Sequence, residues 1–380
     1  MNPRFQAICE AAALEWDVPA LAVGLTVGGQ IVTAAVGCEA ATVFRVASVT
    51  KPLTATLALD LLDFEATTGI WPDEVRVRHL LSLTSGYDCE CGDLARFGSG
   101  DDALAAVVAE LPGVRRLVGV EQAWSYANTG YWLAGHLAAE RAGRSYEDAL
   151  SARVLVPAGL ESTSFGEPEI EGTGAAVVTG PYPRARRPSG GLVSNVPDLL
   201  RFGEWHLARP ESALLRVPHG KPPGGVYGLG LFGERVGGSG VWGHPGSYGG
   251  FQSSFLVVPD HDAVFVGLTN SSTGERALRV LQDFFFEEVL GARRSVPETV
   301  ELPAATLDSF AGTYANDQDR LEVAATAGGL VVTYEGATLP ARPIGEQTFE
   351  VTAGEYTGDR FDFPLAGFGR FGSRLVERVA

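Results

Sequence analysis

The 380-residue sequence predicts an α+β fold, in which an antiparallel sheet flanked by helices carries an all-α subdomain and is followed by a small all-β domain. Three observations lead to this prediction. A helix and two strands open the chain, two strands and a helix follow much later, and the stretch between them is mainly helical. Beyond a Pro- and Arg-containing linker at 291–303, the apolar runs are short and β-rich. We therefore expect two domains, at 1–292 and 304–380.

The opening elements are a helix and a hairpin. Residues 6–16 are rich in Ala, Glu and Leu, which favour helix. Two apolar runs, 20–27 and 30–37, flank Gly28-Gly29, and a glycine pair between such runs is typical of a tight hairpin turn. These two strands begin the predicted sheet.

Helices dominate the middle of the chain. Leu53–Phe64 has good helix formers and no internal Gly or Pro, and Pro197–Leu207 has Asn195 as its N-cap and a proline in its first turn. The other helices are expected at Val77–Ser82, Asp101–Glu110, Gly130–Ala142 and Tyr146–Val154. Together they form the predicted all-α insertion.

Strands return near residue 225. The alternation of Gly225–Phe232 predicts one strand, residues 252–258 and 263–270 predict a hairpin, and Arg276–Leu290 predicts the last helix of the first domain. The second domain has β-rich runs that fit either a small barrel or a sandwich. They lie at 321–323, 330–334, 348–351 and 361–363.

The charge balance excludes several classes of partner. Lys plus Arg number 29 and Asp plus Glu number 46, so the net charge is −17. An acidic surface repels phosphate backbones and anionic membranes, so we expect neither a nucleic-acid nor a membrane partner. The N-terminus lacks the basic and apolar regions of a signal peptide, and no apolar run reaches the roughly 18 residues of a membrane span. These features predict a cytoplasmic protein.

The four cysteines do not predict a metal site. Cys89 and Cys91 are separated by one residue, which is too tight for the usual zinc spacing, and no histidine cluster completes a ligand set. In a reducing compartment these two residues, with Cys9 and Cys38, are most simply free thiols. We therefore expect no metal and no other cofactor.

The strongest chemical signal is Ser48-Val49-Thr50-Lys51. Residues three apart share one side of a helix, so Ser48 and Lys51 touch if a helix begins near Ser48, and Pro52 fits its first turn. There the backbone N–H of Ser48 faces an incoming oxyanion, and an amine with a lowered pKa accepts the serine proton. On spacing alone, a capping serine beside a solvated lysine is the simpler interpretation.

Two further segments carry candidate site residues. Tyr126 and Asn128 lie in a loop bounded by glycine, where the phenol is suited to relay a proton and the amide to bind a carbonyl. Gly243–Phe251 is dense in glycine, which permits close approach of a substrate backbone. In this segment the Ser247 N–H is a candidate second oxyanion donor, and His244 a hydrogen-bonding or titrating partner. Each segment by itself also fits a structural role.

Taken in order, these segments resemble the motifs of the serine β-lactamase, penicillin-binding protein and class C esterase superfamily. Ser48-Val49-Thr50-Lys51 resembles its S-x-x-K motif, Tyr126-Ala127-Asn128 its Y-x-N motif, and His244-Pro245-Gly246 the H-x-G variant of its K-T-G strand. Residues 79–86 and 189–202 are similar to two other segments of the superfamily. The trailing β-rich region resembles the lipocalin-like domain of some D-aminopeptidases.

The resemblance, which covers about residues 8–290, implies a β-lactamase/transpeptidase-like fold and an acyl-enzyme mechanism. Ser48 is then the nucleophile, Lys51 accepts its proton together with Tyr126, and Tyr126 protonates the leaving group. The backbone N–H groups of Ser48 and Ser247 hold the oxyanion. The residues implied for substrate binding are Asn128, His244, Gly246 and Ser247.

Two departures from the superfamily pattern bear on the substrate. His244 stands in place of lysine, and histidine is mostly neutral near pH 7 unless a partner raises its pKa. Pro245 stands in place of the hydroxyl residue that helps to hold a substrate carboxylate. The resemblance therefore implies a small-molecule or peptide substrate with a neutral ester, amide or peptide bond, rather than a β-lactam or a D-Ala-D-Ala tail.

Three functions remain open at this stage, and the sequence does not define the oligomeric state. The first is a hydrolase of an ester, amide or peptide bond, including peptides with D-residues. The second is an acyltransferase or peptide cyclase, in which an amine or alcohol captures the acyl group from the same serine. The third is a non-catalytic sensor that becomes acylated without turnover.

Overall fold

The computed structural model describes residues 3–88, 92–317, 319–354 and 356–379, so Cys89 and Cys91 lie outside the described residues. The α+β class is confirmed. The helices are α1 (Pro3–Glu15), α2 (Thr50–Leu61), α3 (Val77–Leu81), α4 (Ala103–Glu110), α5 (Asn128–Ala142), α6 (Tyr146–Leu150), α7 (Arg187–Gly190), α8 (Val196–Ala208), α9 (Gly274–Leu290) and α10 (Ala304–Phe310). The strands are β1 (Leu21–Val27), β2 (Gln30–Val36), β3 (Phe44–Arg45), β4 (Val193–Ser194), β5 (Val226–Tyr227), β6 (Phe232–Val236), β7 (Ser239–Tyr248), β8 (Phe251–Val258), β9 (Ala263–Thr269), β10 (Gly312–Ala315), β11 (Arg320–Thr326), β12 (Gly329–Tyr334), β13 (Ala337–Pro343), β14 (Thr348–Val351), β15 (Arg360–Leu365), β16 (Phe368–Phe371) and β17 (Arg374–Arg378).

A seven-stranded antiparallel sheet, in the order β2-β1-β9-β8-β7-β6-β5, forms the centre of the first region. β1 and β2 form the expected hairpin, with Gly28 and Gly29 at φ +54° and +78°, where glycine has no steric penalty. β1 also pairs with β9, and Leu21 lies opposite Thr269. The strands of this sheet come from both ends of the region. The all-α insertion is therefore connected to the sheet at both of its ends.

Both faces of the sheet are covered, because alternate residues of β9 enter different cores. Phe265 packs with Phe5 of α1 and Phe285 of α9, whereas Val264 belongs to the core that contains Phe202 of α8. Successive side chains of a strand point to opposite faces, so a fully buried strand needs a layer on each side. α1 and α9 supply one layer, and α8 with the all-α insertion supplies the other.

The all-α insertion is built around α2 and α5. α2 is buried along most of its length, and Thr54 Oγ1 hydrogen-bonds the Tyr146 hydroxyl of α6 at 2.7 Å. The helix expected over Tyr146–Val154 is α-helical only to Leu150 and continues as a π-helix over Ser151–Leu155. This insertion brings α2 and the start of α5 to the edge of the sheet.

One predicted strand is wrong. Gly225–Phe232 is not continuous, because β5 ends at Tyr227 and β6 begins at Phe232. Gly228 N donates to Leu231 O in a turn, and Gly230 adopts φ +86°. The alternation imitates a strand because the leucines at 229 and 231 are buried while the glycines beside them permit the turn.

The C-terminal region is a closed eight-stranded barrel, β10 to β17, rather than a sandwich. Its interior is filled by aromatic side chains, with Phe349 and Phe361 stacked at 5.5 Å between ring centroids. Phe310 of α10 stacks on Phe363 at 4.5 Å. Among the described residues, a cavity lined by Tyr314, Phe361 and Phe363 has a volume of about 10 Å³, roughly that of a single water probe.

Between α9 and α10, residues 291–303 form neither helix nor strand. The domain limits at 292 and 304 stay a prediction. Within the described ranges, no helix combines the length and the apolar character that crossing a bilayer requires.

Candidate active site

Ser48 lies in a short 3-10 helix, Ala47–Val49, that leads directly into α2. The residue before it, Ala47, has φ +45°, a left-handed conformation that costs a non-glycine residue of order 1 kcal/mol or more. The surrounding backbone holds this turn, because Val46 N donates to Leu192 O at 3.1 Å and Val46 O accepts from Ser253 Oγ at 2.8 Å. The half-buried Ser48 is therefore presented on a braced and strained turn.

Lys51 is fully buried, and its amine lies among three hydrogen-bond acceptors. Nζ is 3.2 Å from Ser48 Oγ, 2.9 Å from Asn128 Oδ1 and 2.8 Å from Ser189 O. The last two are oxygens that only accept, so each must face an N–H. Ser48 Oγ both donates and accepts. A neutral Lys51 amine would therefore turn its lone pair toward Ser48, which is the arrangement of a base for this one hydroxyl.

Tyr126 is the second polar neighbour of Ser48. Its hydroxyl lies 2.8 Å from Ser48 Oγ, and Lys51 Nζ lies 4.6 Å from the centre of its ring. A cation over a ring face is attracted by the ring quadrupole, so the amine and the phenol support each other's placement. Ser48 thus has two polar neighbours that can exchange protons with it.

Asn128 is the first residue of α5 and is nearly buried. Because its Oδ1 accepts from Lys51, the amide is oriented with Nδ2 on the opposite side. The structure brings together all four of the residues Ser48, Lys51, Tyr126 and Asn128.

The segment His244–Ser247 belongs to β7, which runs beside the Ser48 turn. Gly246 is packed so closely that a Cβ there would lie 2.4 Å from Val46 O and 3.1 Å from Ser48 N. Such a distance to a backbone carbonyl is impossible without movement, so the strand needs glycine at this position. Ser247 is exposed next to it, and its Oγ accepts from Gln252 at 2.9 Å.

His244 is buried and neutral. It sits among aromatic rings, with centroids of Phe232 and Tyr126 at 5.1 and 6.1 Å. Burial first, and then the positive charge of Lys51, lowers its pKa to about 3. Nδ1 lies 2.6 Å from Pro245 O, and within the described part of the chain Nε2 has no hydrogen-bond partner. His244 therefore supplies neither a fixed positive charge nor titration near pH 7.

A cleft of about 570 Å³ opens beside Ser48. Its wall is formed by Ser48, Tyr126, the β7 segment and residues of β8 and α9. Charged side chains of both signs lie along it, namely Glu234, Glu275, Arg279 and Arg294. Ser373 from the C-terminal barrel also lines it.

Sequence reasoning missed several groups that hold the site. The Ser189 carbonyl accepts a hydrogen bond from Lys51, and the Ser253 hydroxyl donates to Val46 O in the turn that carries Ser48. Ser189 belongs to a stretch already noted as similar to the superfamily, but a carbonyl has no sequence signature of its own. In the same stretch Asn195 Oδ1 caps α8 by accepting from Asp198 N, as expected.

The other stretch that resembles the superfamily, residues 79–86, supports the Tyr126 loop. Within the described residues it makes no hydrogen bond to Ser48 that the structure shows. Leu83 O accepts from Ser125 N at 3.0 Å, and Leu81 O accepts from the Tyr131 hydroxyl at 2.8 Å. Gly86 at φ +81° allows the chain to pass Val118 O, which a Cβ would approach to 2.2 Å.

A serine one turn before a buried lysine, at the start of a helix packed against an antiparallel sheet, is an arrangement typical of serine hydrolases. The comparison with known families agrees. The family model described as Beta-lactamase matches residues 8–284, and the chain belongs to this family.

Individual relatives are similar over most of their length. Penicillin-binding protein 4 of Amycolatopsis lactamdurans is 28% identical over 375 residues, which covers 80% of this chain and 95% of that protein. The structure of SurE with D-Leu has a TM-score of 0.77 and 25% identity, with 99% of each chain covered. The octameric penicillin-binding protein homologue from Pyrococcus abyssi has a TM-score of 0.67 and 20% identity, covering 99% of this chain and 100% of that one. The last likeness shows the fold, and its coverage includes the barrel.

Proposed function

We propose that the protein cleaves an ester, amide or peptide bond through an acyl group carried on Ser48. The observation that carries this proposal is the position of Ser48 Oγ, 3.2 Å from Lys51 Nζ and 2.8 Å from the Tyr126 hydroxyl, at the wall of the cleft. A hydroxyl between two proton-exchanging groups is what nucleophilic catalysis by serine needs.

In the proposed reaction, Ser48 Oγ attacks the substrate carbonyl while its proton passes to the Lys51 amine, with Tyr126 as relay. The backbone N–H groups of Ser48 and Ser247 stabilise the oxyanion, an interaction that in general is worth about 10²–10³ in rate per donor. When the bond to the leaving group breaks, Tyr126 supplies its proton. Water then attacks the acyl-serine and releases the acid. Asn128 orients the substrate through its amide.

The environment of β7 supports a neutral substrate group. The neutral His244 and the ring of Pro245 offer neither a cation nor a hydroxyl to a carboxylate. This favours esters, amides and internal peptide bonds over β-lactams. SurE, which is similar over its whole length, was solved with D-Leu, and this supports testing substrates with D-residues first.

The test begins with labelling by a fluorophosphonate probe and measurement of intact mass. Wild type is expected to gain one adduct on Ser48, and Ser48→Ala none, with equal melting temperatures. A folded wild type that does not label would refute the proposal.

Turnover is then measured on p-nitrophenyl esters, D- and L-aminoacyl anilides and nitrocefin, each with and without an added amine. Release of free acid supports hydrolysis, whereas conversion to an amide in the presence of amine would assign acyl transfer instead. A preference for nitrocefin would overturn the substrate argument. Release of a single equivalent without turnover would show a sensor and not an enzyme.

A further inference from the structure

The last hairpin of the barrel, β16 and β17, reaches the cleft beside Ser48. Its turn carries Ser373, which lines the cleft together with Ser48 and Tyr126. An apolar cluster of Val118, Ala123 and Leu375 seals the hairpin against the loop that precedes Tyr126. The barrel is therefore packed directly on a part of the chain that carries a proposed catalytic group.

Three successive residues of this loop hydrogen-bond to the hairpin. Trp124 O accepts from Arg370 Nη1 at 2.5 Å, and Ser125 Oγ accepts from Leu375 N at 3.1 Å. Tyr126 N donates to Ser373 O at 2.8 Å. These bonds fix the backbone that leads into Tyr126, and this restricts the direction in which its side chain points.

The loop has little structure of its own to hold it. Residues 117–127 are all described, and they form neither helix nor strand. On the other side the loop is bonded to residues 83–86 of the helical insertion, where Ser125 N donates to Leu83 O at 3.0 Å and Glu121 N to Thr84 O at 2.9 Å. Leu117 N and Val118 N also donate to Gly86 O. A segment without an internal hydrogen-bond ladder takes its position from its partners. At its C-terminal end, the barrel supplies the partners of Trp124 O, Ser125 Oγ and Tyr126 N.

Arg370 is the centre of this contact. Its side chain is 1% exposed and pairs with Asp362, Nε to Oδ1 at 2.9 Å, with a second bond from Nη2 to Oδ2. The same guanidinium donates to Trp124 O and, through Nη2, to Lys221 O at 2.9 Å. The planar guanidinium has five N–H donors and can donate to all these acceptors at once, whereas a lysine ammonium cannot.

We propose that Arg370 is a positioning residue for catalysis, acting through the Trp124 carbonyl to hold the Tyr126 hydroxyl against Ser48. This inference rests on the proposed function, because it assumes that Tyr126 exchanges protons with Ser48. It makes the barrel a component of the active site, and not an attached module with a separate task.

The test compares Arg370→Lys with Arg342→Lys. Arg342 is a matched control, because it also lies in the barrel, pairs with Glu350 and donates to the Pro297 carbonyl, but does not contact the Tyr126 loop. The rate of Ser48 labelling by the fluorophosphonate is expected to fall about tenfold or more in Arg370→Lys, since small misplacements of a reacting group are costly. In Arg342→Lys it is expected to change less than about twofold.

A double-mutant cycle distinguishes positioning from a general loss of structure. If Arg370 acts through the phenol, Arg370→Lys in a Tyr126→Phe background is expected to change the labelling rate less than about twofold, because the group that it positions is absent. Equal rates for Arg370→Lys and Arg342→Lys would overturn the inference. So would an undiminished effect in the Tyr126→Phe background.

Ser125→Ala carries the same test if Arg370→Lys does not fold. It removes only the acceptor of Leu375 N and leaves the Arg370–Asp362 pair intact. Its labelling is expected to slow by about threefold, an effect that again disappears with Tyr126→Phe. Wild-type labelling by Ser125→Ala would then refute the premise that the hairpin holds Tyr126 in place, and the inference with it. A Tyr126→Phe single variant that labels as fast as wild type would instead refute the role of Tyr126 in the proposed function.

Discussion

Replacement of Lys51 by methionine is expected to abolish most acylation while leaving the protein folded. Methionine keeps an unbranched side chain in the buried site but offers no base to Ser48 Oγ, which lies 3.2 Å from Nζ. A positioned general base contributes about 10²–10⁴ in rate. The loss in transition-state stabilisation is therefore about 3–5 kcal/mol.

The effect on stability is smaller, because two contributions oppose each other. Asn128 Oδ1 and Ser189 O both lose the amine donor, and each lost bond to a buried acceptor costs about 1–3 kcal/mol. Against this, a polar amine no longer has to be kept away from water in a site where it is fully buried. We expect the free energy of unfolding to fall by no more than about 3 kcal/mol.

The assay is the second-order rate of fluorophosphonate labelling, measured beside a urea denaturation curve. The control is Lys221→Met, the same change at the only other lysine of the sequence, which is exposed and not among the residues that line the cleft. Lys221→Met is expected to label like wild type. If a folded Lys51→Met labels within about threefold of wild type, the assignment of the base is wrong.

Two other changes test the packing and the electrostatics of the structure. Gly246→Ala places a Cβ 2.4 Å from Val46 O, so we expect a loss of about 1–3 kcal/mol in the free energy of unfolding and slower Ser48 labelling; wild-type values for both would contradict the packing. Burial lowers the pKa of His206 to about 3. Between pH 6.5 and about 3, the unfolded chain therefore binds a proton at this histidine that the folded protein does not bind. The free energy of unfolding falls as the pH falls through this range. His206→Gln is expected to reduce the change of the free energy of unfolding with pH by about 1.4 kcal/mol per pH unit, measured by denaturation from pH 6 to 4. Labelling of Ser48 is expected to be unchanged. The same pH dependence in the variant and in wild type would show that His206 is not held neutral.

The spacing of Ser48 and Lys51 predicts that their side chains lie close together. It does not predict the backbone conformation that brings them together. The sequence predicts a helix that begins near Ser48, whereas the serine lies in a 3-10 helix and α2 begins at Thr50. The left-handed Ala47 between β3 and this turn is imposed by bonds from Leu192 and Ser253. Leu192 and Ser253 are far from Ala47 in the sequence, so a local sequence pattern does not predict these contacts.

The barrel was predicted only in part, for a related reason. Four β-rich runs were recognised, and β10, β13, β16 and β17 were not. The third residue of β16 (Phe368–Phe371) is Arg370, a charged residue that is nevertheless buried. Its charge suggests an exposed position, so the sequence pattern does not indicate a buried strand. Alternation predicts a strand when one face meets water, and it fails where a charged residue is buried. Arg370 can be buried because it pairs with Asp362 on the neighbouring strand and donates to the carbonyls of Trp124 and Lys221.

The same arginine explains why the motifs alone give an incomplete account of the site. The motif residues Ser48, Lys51, Tyr126 and Asn128 all precede residue 290, and the family match ends at residue 284. Yet the backbone of Tyr126 is bonded to Ser373, and that of Trp124 to Arg370. A phenol must lie within hydrogen-bond distance of a serine to exchange a proton with it, and on an irregular loop that distance depends on whatever supports the loop. Two family members with identical motifs but different C-terminal regions should therefore differ in the rate of acylation even when the residues that contact the substrate are the same.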